Sequence, residues 1–379
     1  MDKVKLDDVL KYEQPTKYIV DTENYDCSFE TPVLTAGKTF ILGYTDEKKG
    51  VFNDLPVIIF DDFTTAFHYV NFPFKVKSSA MKILTPVKEK ADLKYLFYKM
   101  QTISIDKDLH KRYWISKYSQ IQIPLPPLPT QQKIAEILDT ADQLRQYNKQ
   151  LIEKYDALTQ SLFLDMFGDP FKNNKKWEMN SFGHYITVLT DYHANGSYES
   201  LKEVVELKDE RDFALMVRTT DLEKNNFDND VKYITEEAYN YLTKSKVFGN
   251  EIIINKIGSA GNVYLMPALN RPVSLGMNAF LLRFNENQLN VLFTYFLLKT
   301  KYCESEIQKR VKGAVTKTIR KDAIREIPII VPPIALQNQF AEQLQLIETQ
   351  KQQAQDALAK SEDLFQSLLQ RAFNGTLCP

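Results

Sequence analysis

A chain of 379 residues exceeds what one hydrophobic core usually organises, and 44% hydrophobic with 26% charged residues describes a globular chain of two or more domains, not a disordered one. No apolar run approaches the roughly 18–20 residues of a membrane span, and Met1-Asp2-Lys3-Val4-Lys5 lacks the stretches of a signal peptide, so the expected location is the cytoplasm. A net charge of −1 counts against nucleic-acid binding by bulk charge, and Cys27, Cys303 and Cys378, widely spaced, point neither to a disulfide framework nor to structural zinc.

In chain order, residues 1–125 alternate short apolar runs with turns. Residues 55–60, 69–72 and 80–84 read as strands, and 95–98 as a short aromatic helix. Ala36-Gly37-Lys38-Thr39 imitates the end of a phosphate-binding loop, but Pro32 stands where its first glycine belongs. An extended apolar segment from Ile121 is then broken by Pro126-Pro127, whose missing donors delay any helix until after them. Residues 130–168 follow as one helix, stopped by Gly168-Asp169-Pro170, so residues 126–170 form a helical spacer. Residues 171–331 return to the first texture, with strands at 251–255, 263–266 and 279–284 and an aromatic helix at 295–298. Residues 332–379 form a second spacer, its helix running over 336–374 to Gly375.

The two spacers are copies at an offset of 206 residues. IQIPLPPLPTQQKIAEILDTADQL from Ile121 matches IPIIVPPIALQNQFAEQLQLIETQ from Ile327, and the register still holds where Gln160-Ser161-Leu162 meets Gln366-Ser367-Leu368 and Phe167 meets Phe373. Apolar residues recur at spacings of four and three: Ile134, Leu138, Ala141, Ile152, Tyr155, Leu162 and Met166, then Phe340, Leu344, Ile347, Ala354, Leu358, Phe365 and Leu368. That is the seam of a coiled coil, interrupted at equivalent positions by Arg145 and Lys351. Two such helices in one chain most simply pair with each other. Laid antiparallel, helices of about 58 Å would separate two domains by at most about 17 base pairs of DNA.

Pro124-Leu125-Pro126-Pro127-Leu128-Pro129 before Gln131-Gln132-Lys133-Ile134-Ala135, then Leu164-Asp165-Met166-Phe167-Gly168-Asp169-Pro170, Trp177 and the closing Ala372-Phe373-Asn374-Gly375-Thr376-Leu377, resemble the specificity subunits of Type I restriction-modification systems. The resemblance covers the architecture of essentially the whole chain and the motifs of both helical regions. It implies an α+β fold: two target-recognition domains separated by two long antiparallel helices forming a coiled coil, with a pseudo-two-fold repeat. It further implies a non-catalytic reader of a bipartite site in double-stranded DNA. Two adenine-N6 methyltransferase (M) subunits would dock on the helices, with Gln131, Gln132, Phe167, Gln337 and Phe373 as candidate contacts, and restriction (R) subunits would join. S-adenosylmethionine, ATP and magnesium then belong to those partners, and no cofactor or metal to this chain. Phosphate neutralisation shared with partners would let a nearly neutral reader bind DNA.

Candidate DNA contacts lie in the segments between helices. Asp61-Asp62-Phe63-Thr64-Thr65-Ala66-Phe67-His68 resembles a loop that approaches DNA; Thr64, Thr65 and His68 can bond base edges or phosphates and Asp can accept from cytosine, or the loop only connects strands. In Asn255-Lys256-Ile257-Gly258-Ser259-Ala260-Gly261-Asn262 the glycines suit either close approach to a phosphate or a hairpin alone, with Lys256, Ser259 and Asn262 as contacts. Lys309, Arg310, Lys312 and Lys317 form a basic stretch before the second spacer, and Lys111 and Arg112 hold the corresponding place in the first half: a phosphate clamp or a solvated charge run. Tyr192, His193 and Asn195 lie in a polar loop. Asp191 with Glu206 and Lys208 is a chance likeness to a nuclease triplet, Gly258 and Gly261 open no dinucleotide fingerprint, and no Asn-Pro-Pro-Tyr or Asp-Pro-Pro-Tyr methyltransferase element occurs.

Overall fold

The computed structural model describes residues 3–35, 39–105 and 112–377. The chain divides into two compact units: Met1–Leu151 with Gln353–Pro379, and Ile152–Gln352. Each unit takes one of the segments between the spacers together with part of both long helices.

The strands of unit 1 are β1 (Lys3–Lys5), β2 (Leu10–Glu13), β3 (Thr31–Leu34), β4 (Ile41–Thr45), β5 (Val57–Asp61), β6 (Phe67–Val70), β7 (Lys75–Val76), β8 (Met81–Pro86) and β9 (Gln122–Pro124). They build an antiparallel sheet in the order β2-β8-β5-β6, a sheet β4-β3-β7 whose β3–β7 pair is parallel, and a ribbon β1-β9. Those of unit 2 are β10 (Met179–Ser181), β11 (Ile186–Asp191), β12 (Ala214–Val217), β13 (Lys232–Ile234), β14 (Lys246–Val247), β15 (Glu251–Asn255), β16 (Val263–Met266), β17 (Val273–Leu275), β18 (Ala279–Phe284) and β19 (Pro328–Ile330). They form the sheets β11-β18-β15-β16 and β13-β12-β17-β14, with β12–β17 parallel, and the ribbon β10-β19. One strand plan is therefore used twice, β2, β8, β5 and β6 answering to β11, β18, β15 and β16.

The central strands read as unbroken apolar runs because both their faces are covered. Alternate side chains point to opposite faces. Ile58 and Phe60 join the core around Tyr95, Trp114 and Leu138, while Val57 and Ile59 join Phe52, Phe74 and Val76. In unit 2, Ile252 and Ile254 pack with Phe293 and Phe340, and Ile253 with Val217 and Leu275.

Each long helix has 40 residues, Leu128–Phe167 and Ile334–Phe373, about 60 Å at 1.5 Å per residue. Both begin two residues before the expected starts. Pro129 is accommodated because the first helical turn has no intrahelical acceptor for its missing N–H. Within unit 1 the helices run antiparallel: the Arg145 guanidinium lies 3.7 Å from the Phe365 ring centroid, Asn148 Nδ2 donates to Ser361 Oγ at 3.3 Å, and Lys149 meets Glu362 at 3.2 Å. Within unit 2, Lys351 pairs with Asp156, and the Phe163 and Phe340 rings meet edge to face at 5.7 Å. The charged interruptions of the seam are thus each answered from the facing helix. Phe365 is buried on the expected stripe, but elsewhere at its ends the seam is shifted by one residue: Phe163, Phe167 and Leu369 are buried, and Leu162, Met166 and Leu368 only partly so.

Where the helices start, the repeat becomes physical. Gln131 is fully buried; its Nε2 donates to Pro126 O at 2.8 Å and Lys90 O at 3.0 Å, and its Oε1 accepts from Asp92 N at 2.9 Å. Gln337, equally buried, donates to Pro332 O at 2.8 Å and Gln288 O at 3.1 Å and accepts from Asn290 N at 2.9 Å. Asp92 and Asn290 are the N-caps of the aromatic helices Leu93–Gln101 and Val291–Leu298. One glutamine therefore ties the proline break, the long helix and the aromatic helix together in each unit.

Candidate nucleic-acid interface

Two loops singled out separately in the sequence occupy the same place in the two units: residues 62–66 join β5 to β6, and 256–262 join β15 to β16. Both are pinned by the segment that leads into a long helix. Tyr113 N donates to Asp62 O at 3.0 Å, and Ile319 N donates to Lys256 O at 3.0 Å, so donors 206 residues apart make the same bond.

In unit 1 the acidic start of the loop is structural. Asp61 Oδ1 accepts from Phe63 N at 2.8 Å and Thr64 N at 3.2 Å, while Asp62 Oδ1 accepts from Trp114 N at 2.8 Å and Oδ2 faces Lys82 Nζ at 3.3 Å inside the core. Neither carboxylate is presented to a base, which corrects the expectation that one accepts from cytosine. Thr64 is exposed and Thr65 half-buried at the tip; Thr65 is held at φ +64, a left-handed conformation that costs a β-branched residue about 1–2 kcal/mol. The exposed Phe63 stands beside them. His68 lies on β6 and is exposed, its ring stacked on Phe40 with centroids 3.8 Å apart, and partial desolvation holds the imidazole below its usual value. Arg112 is exposed at the start of the helix Tyr113–Ser116, and Lys111 lies outside the described residues.

In unit 2 the loop is closed by its own backbone: Asn255 N donates to Asn262 O at 2.9 Å and Gly261 N to Asn255 O at 2.8 Å. Gly261 sits at φ +89, where a Cβ would fall 2.5 Å from Ile307 Cγ2, whereas Gly258 at φ +83 faces open space. Ser259 and Asn262 are exposed; the Ser259 hydroxyl donates to Glu223 at 2.6 Å, and Asn262 Nδ2 meets Tyr264 Oη at 3.4 Å. The buried Asn255 Oδ1 has no hydrogen-bond partner among the described residues. Lys256 is bonded to Asp191 Oδ2 at 2.8 Å, and Lys321 to Asp191 Oδ1 at 2.9 Å, with both ammoniums over the Phe280 ring. Burial pushes the Asp191 carboxyl up, but the two lysines outweigh it and hold it below the usual range. This cluster keeps one net positive charge at the loop. Lys321 went unnoticed in the sequence because it falls just beyond the basic stretch.

That stretch is brought against the same loop. Gly258 N donates to Lys317 O at 3.0 Å, and Lys312 and Thr318 exchange two 2.8 Å backbone bonds. Lys312 and Lys317 are exposed with no side-chain bond among the described residues. Lys309 and Arg310, by contrast, bond Glu306 at 2.6 and 2.7 Å, and Arg310 also bonds Glu326 O, so their charge is largely spent internally and the clamp narrows to Lys312 and Lys317. Tyr192 is buried in a core cluster, and Asn195 spends its amide on Tyr192 O, Ser245 Oγ and Lys244 N, which removes both as base readers; His193 alone of that loop is exposed. Lys208 bonds Asp212, not Asp191, so no nuclease-like triplet assembles. Among the described residues no group of three or more His, Cys, Asp or Glu gathers to hold a metal, and no helix is long and apolar enough to cross a membrane.

The residues expected to dock partners are mostly internal. Gln131 and Gln337 are consumed by the clamps, Phe167 is buried against Phe293 and Phe340, and Phe373 is half-buried against Tyr95 with Lys99 over its ring; Gln132 keeps its side chain in solvent. What the sequence reading missed is an exposed apolar stripe in unit 1, Leu144, Tyr147 and Leu151, whose three- and four-residue spacing places it on one helix face.

The geometry defines a doubled α+β protein that presents a polar loop from the same place in each unit, with exposed Arg112 near the first loop and Lys312 and Lys317 near the second. The family model of the Type I restriction modification DNA specificity domain matches residues 1–155 and 195–357. The specificity subunit of the Type I restriction enzyme EcoR124I/EcoR124II from Escherichia coli is 31% identical over 386 residues, covering 95% of this chain and 90% of that one. The MjaVIII specificity subunit of Methanocaldococcus jannaschii is 22% identical, covering 91% and 85%. The fold is shared with the crystal structure of a Type I system S subunit from M. genitalium, with a TM-score of 0.64 at 16% identity over 98% of this chain and 96% of that one. The chain belongs to the Type I restriction-modification specificity family, and it is a non-catalytic DNA-recognition subunit.

Proposed function

We propose that each unit reads one half of a bipartite site in double-stranded DNA, through the loops 62–66 and 256–262 and the basic residues beside them. The paired helices carry two adenine-N6 methyltransferase subunits and, with them, the restriction subunits. The methyl donor S-adenosylmethionine, ATP and magnesium are held by those partners, and the complex works in the cytoplasm. The observation that carries the reading is the shared frame: the same strand order and the same pinning bond hold two loops of unrelated sequence. Such a frame suits two half-sites of different sequence. Base edges supply the discrimination and lysines on phosphates the register. The exposed stripe of Leu144, Tyr147 and Leu151, with Gln132, offers the partner surface that the buried glutamines do not.

The test is to co-express the chain with its neighbouring methyltransferase in a methylation-free host and map N6-methyladenine by long-read sequencing. One motif of two fixed half-sites around an unread spacer supports the reading, and exchanging residues 1–125 then changes one half only. A folded, donor-binding methyltransferase that leaves no motif refutes it and favours a scaffold that assembles proteins without reading DNA.

A further inference from the structure

Among the described residues one side chain of unit 2 stands apart from the other exposed large hydrophobics. Val315 is 98% exposed, whereas the next most exposed large hydrophobic, Leu346, reaches 69%. It is not on a trailing loop. The hairpin that carries it is closed by the Lys312–Thr318 bonds and fastened to the 256–262 loop through Lys317 O and Ile319 N, with Ile319 buried behind it. Gly313 turns the tip at φ +105, where a Cβ would lie 2.2 Å from Thr316 O, so the tip's shape depends on that glycine. Between positions 307 and 321 there are six Lys or Arg and no Asp or Glu. After Glu306 and Asp191 have taken Lys309, Arg310 and Lys321, the cations with no carboxylate bonded among the described residues are Lys312, Lys317 and Arg320, which flank the tip and its base.

An anchored apolar point between free cations fits a polyanion that has an apolar interior. We infer that Ala314-Val315 enters a groove of duplex DNA and makes apolar contact with base edges, while Lys312 and Lys317 straddle the phosphates. The inference rests on the assignment of the neighbouring 256–262 loop to DNA reading, since the tip is bonded to that loop. Two contacts share this chemistry: packing on a thymine methyl in the major groove, or a wedge that partly unstacks a base step from the minor groove.

The experiment uses the full chain with its methyltransferase and a duplex carrying the motif methylated in vivo, and compares Val315→Ala, Val315→Asp, Lys312→Ala, Lys317→Ala and Lys256→Ala. Val315 touches no core, so its variants fold as the parent does. Val315→Ala is expected to weaken binding about tenfold, the loss of two buried methyl groups, with the salt slope unchanged. Each lysine variant is expected to lower that slope by about 0.9. Replacing thymines by uracil reproduces the Val315→Ala loss if the methyl contact holds, and 2-aminopurine beside one step brightens with the parent only if the wedge holds. Parent-like affinity of both Val315 variants overturns the inference, and so does Val315→Asp releasing the methyltransferase with DNA binding intact, which would make the tip a protein contact. If Lys256→Ala weakens binding while the Val315 variants do not, the loop reads DNA and the wedge is wrong; the reverse result keeps the wedge and removes the loop.

Discussion

Replacing Gln337 by alanine tests whether the buried glutamine holds unit 2 together. The substitution leaves three backbone groups without this partner: the Pro332 C=O, whose 2.8 Å bond is buried, and Asn290 N–H and Gln288 C=O, whose bonds at 2.9 and 3.1 Å are partly buried. An unmade buried bond costs about 1–3 kcal/mol. The two carbonyls retain a second lone pair and the vacated space can admit water, so the low end applies and the sum is about 3 kcal/mol. For a unit of roughly 200 residues this lowers the melting temperature by about 6–12 °C. Gln337→Met fills the volume without the bonds and is expected to regain little, which separates packing from hydrogen bonding. Gln132→Ala, on an exposed side chain, is the control and should stay within about 0.5 kcal/mol. Differential scanning calorimetry of the full chain is the assay. A Gln337→Ala melt indistinguishable from that of Gln132→Ala would show that the clamp contributes nothing and that its recurrence in both units is incidental.

Lys82→Met strands the Asp62 carboxylate, now 3.3 Å from the ammonium with both groups buried, and should cost about 3–5 kcal/mol in urea unfolding, whereas Asp62→Asn keeps an acceptor for Trp114 N–H and should cost less. Partial burial of Glu47 raises its carboxyl, but Lys75 and the backbone N–H groups of Asp21 and Thr22 more than reverse this and bring it to about 2. Its folded value lies below its unfolded one, so the stabilisation is complete above about pH 4.5 and lost as pH falls toward 2; Glu47→Gln should flatten that part of the stability–pH curve. Asp191→Asn frees both lysine ammoniums and should raise the affinity of the assembled complex for non-specific duplex, while Lys256→Ala lowers it with a salt slope reduced by about 0.9; equal slopes in all three would remove the cluster from the interface.

The helical half of the fold was open to reading because its grammar is local. Prolines fix where a helix can start, glycine where it stops, and apolar spacing which face is covered. Strands such as β5, β15, β16 and β18 were legible for the same reason, as apolar runs buried on two faces. β3, β4, β12 and β13 were not, since three to five residues of mixed character carry no periodicity until a partner strand sets their register. The roles of Gln131 and Gln337 were misread because an amide near a helix start normally faces water; the available signal was the Pro-Pro pair five and four residues earlier, which leaves a carbonyl with no helical donor. Asp61 and Asp62, Tyr192 and Asn195 failed as base readers for a related reason. A polar residue in a loop bonds the backbone as readily as it bonds DNA, and only burial distinguishes the two. Val315 gave no signal at all, because a lone valine in a basic run has no pattern to violate.

The duplication bears on how two different sequences are read by one chain. If loop conformation depended on the loop's own residues, changing them to recognise another base would also move them, and each new specificity would require a new frame. Here the loops are held from outside, by Tyr113 N on Asp62 O and Ile319 N on Lys256 O, backbone bonds that no side-chain substitution at the loop removes. Unit 1 secures its pin with a buried Lys82–Asp62 pair and unit 2 with a lysine–aspartate–lysine cluster at its surface. The same geometry is therefore reached with a neutral interior in one half and a cationic exterior in the other. The frame tolerates different chemistry at the loop, which a reader of two unlike half-sites needs, and a net charge of −1 over the whole chain does not prevent a local excess of cations such as Lys312, Lys317 and Arg320 near the 256–262 loop.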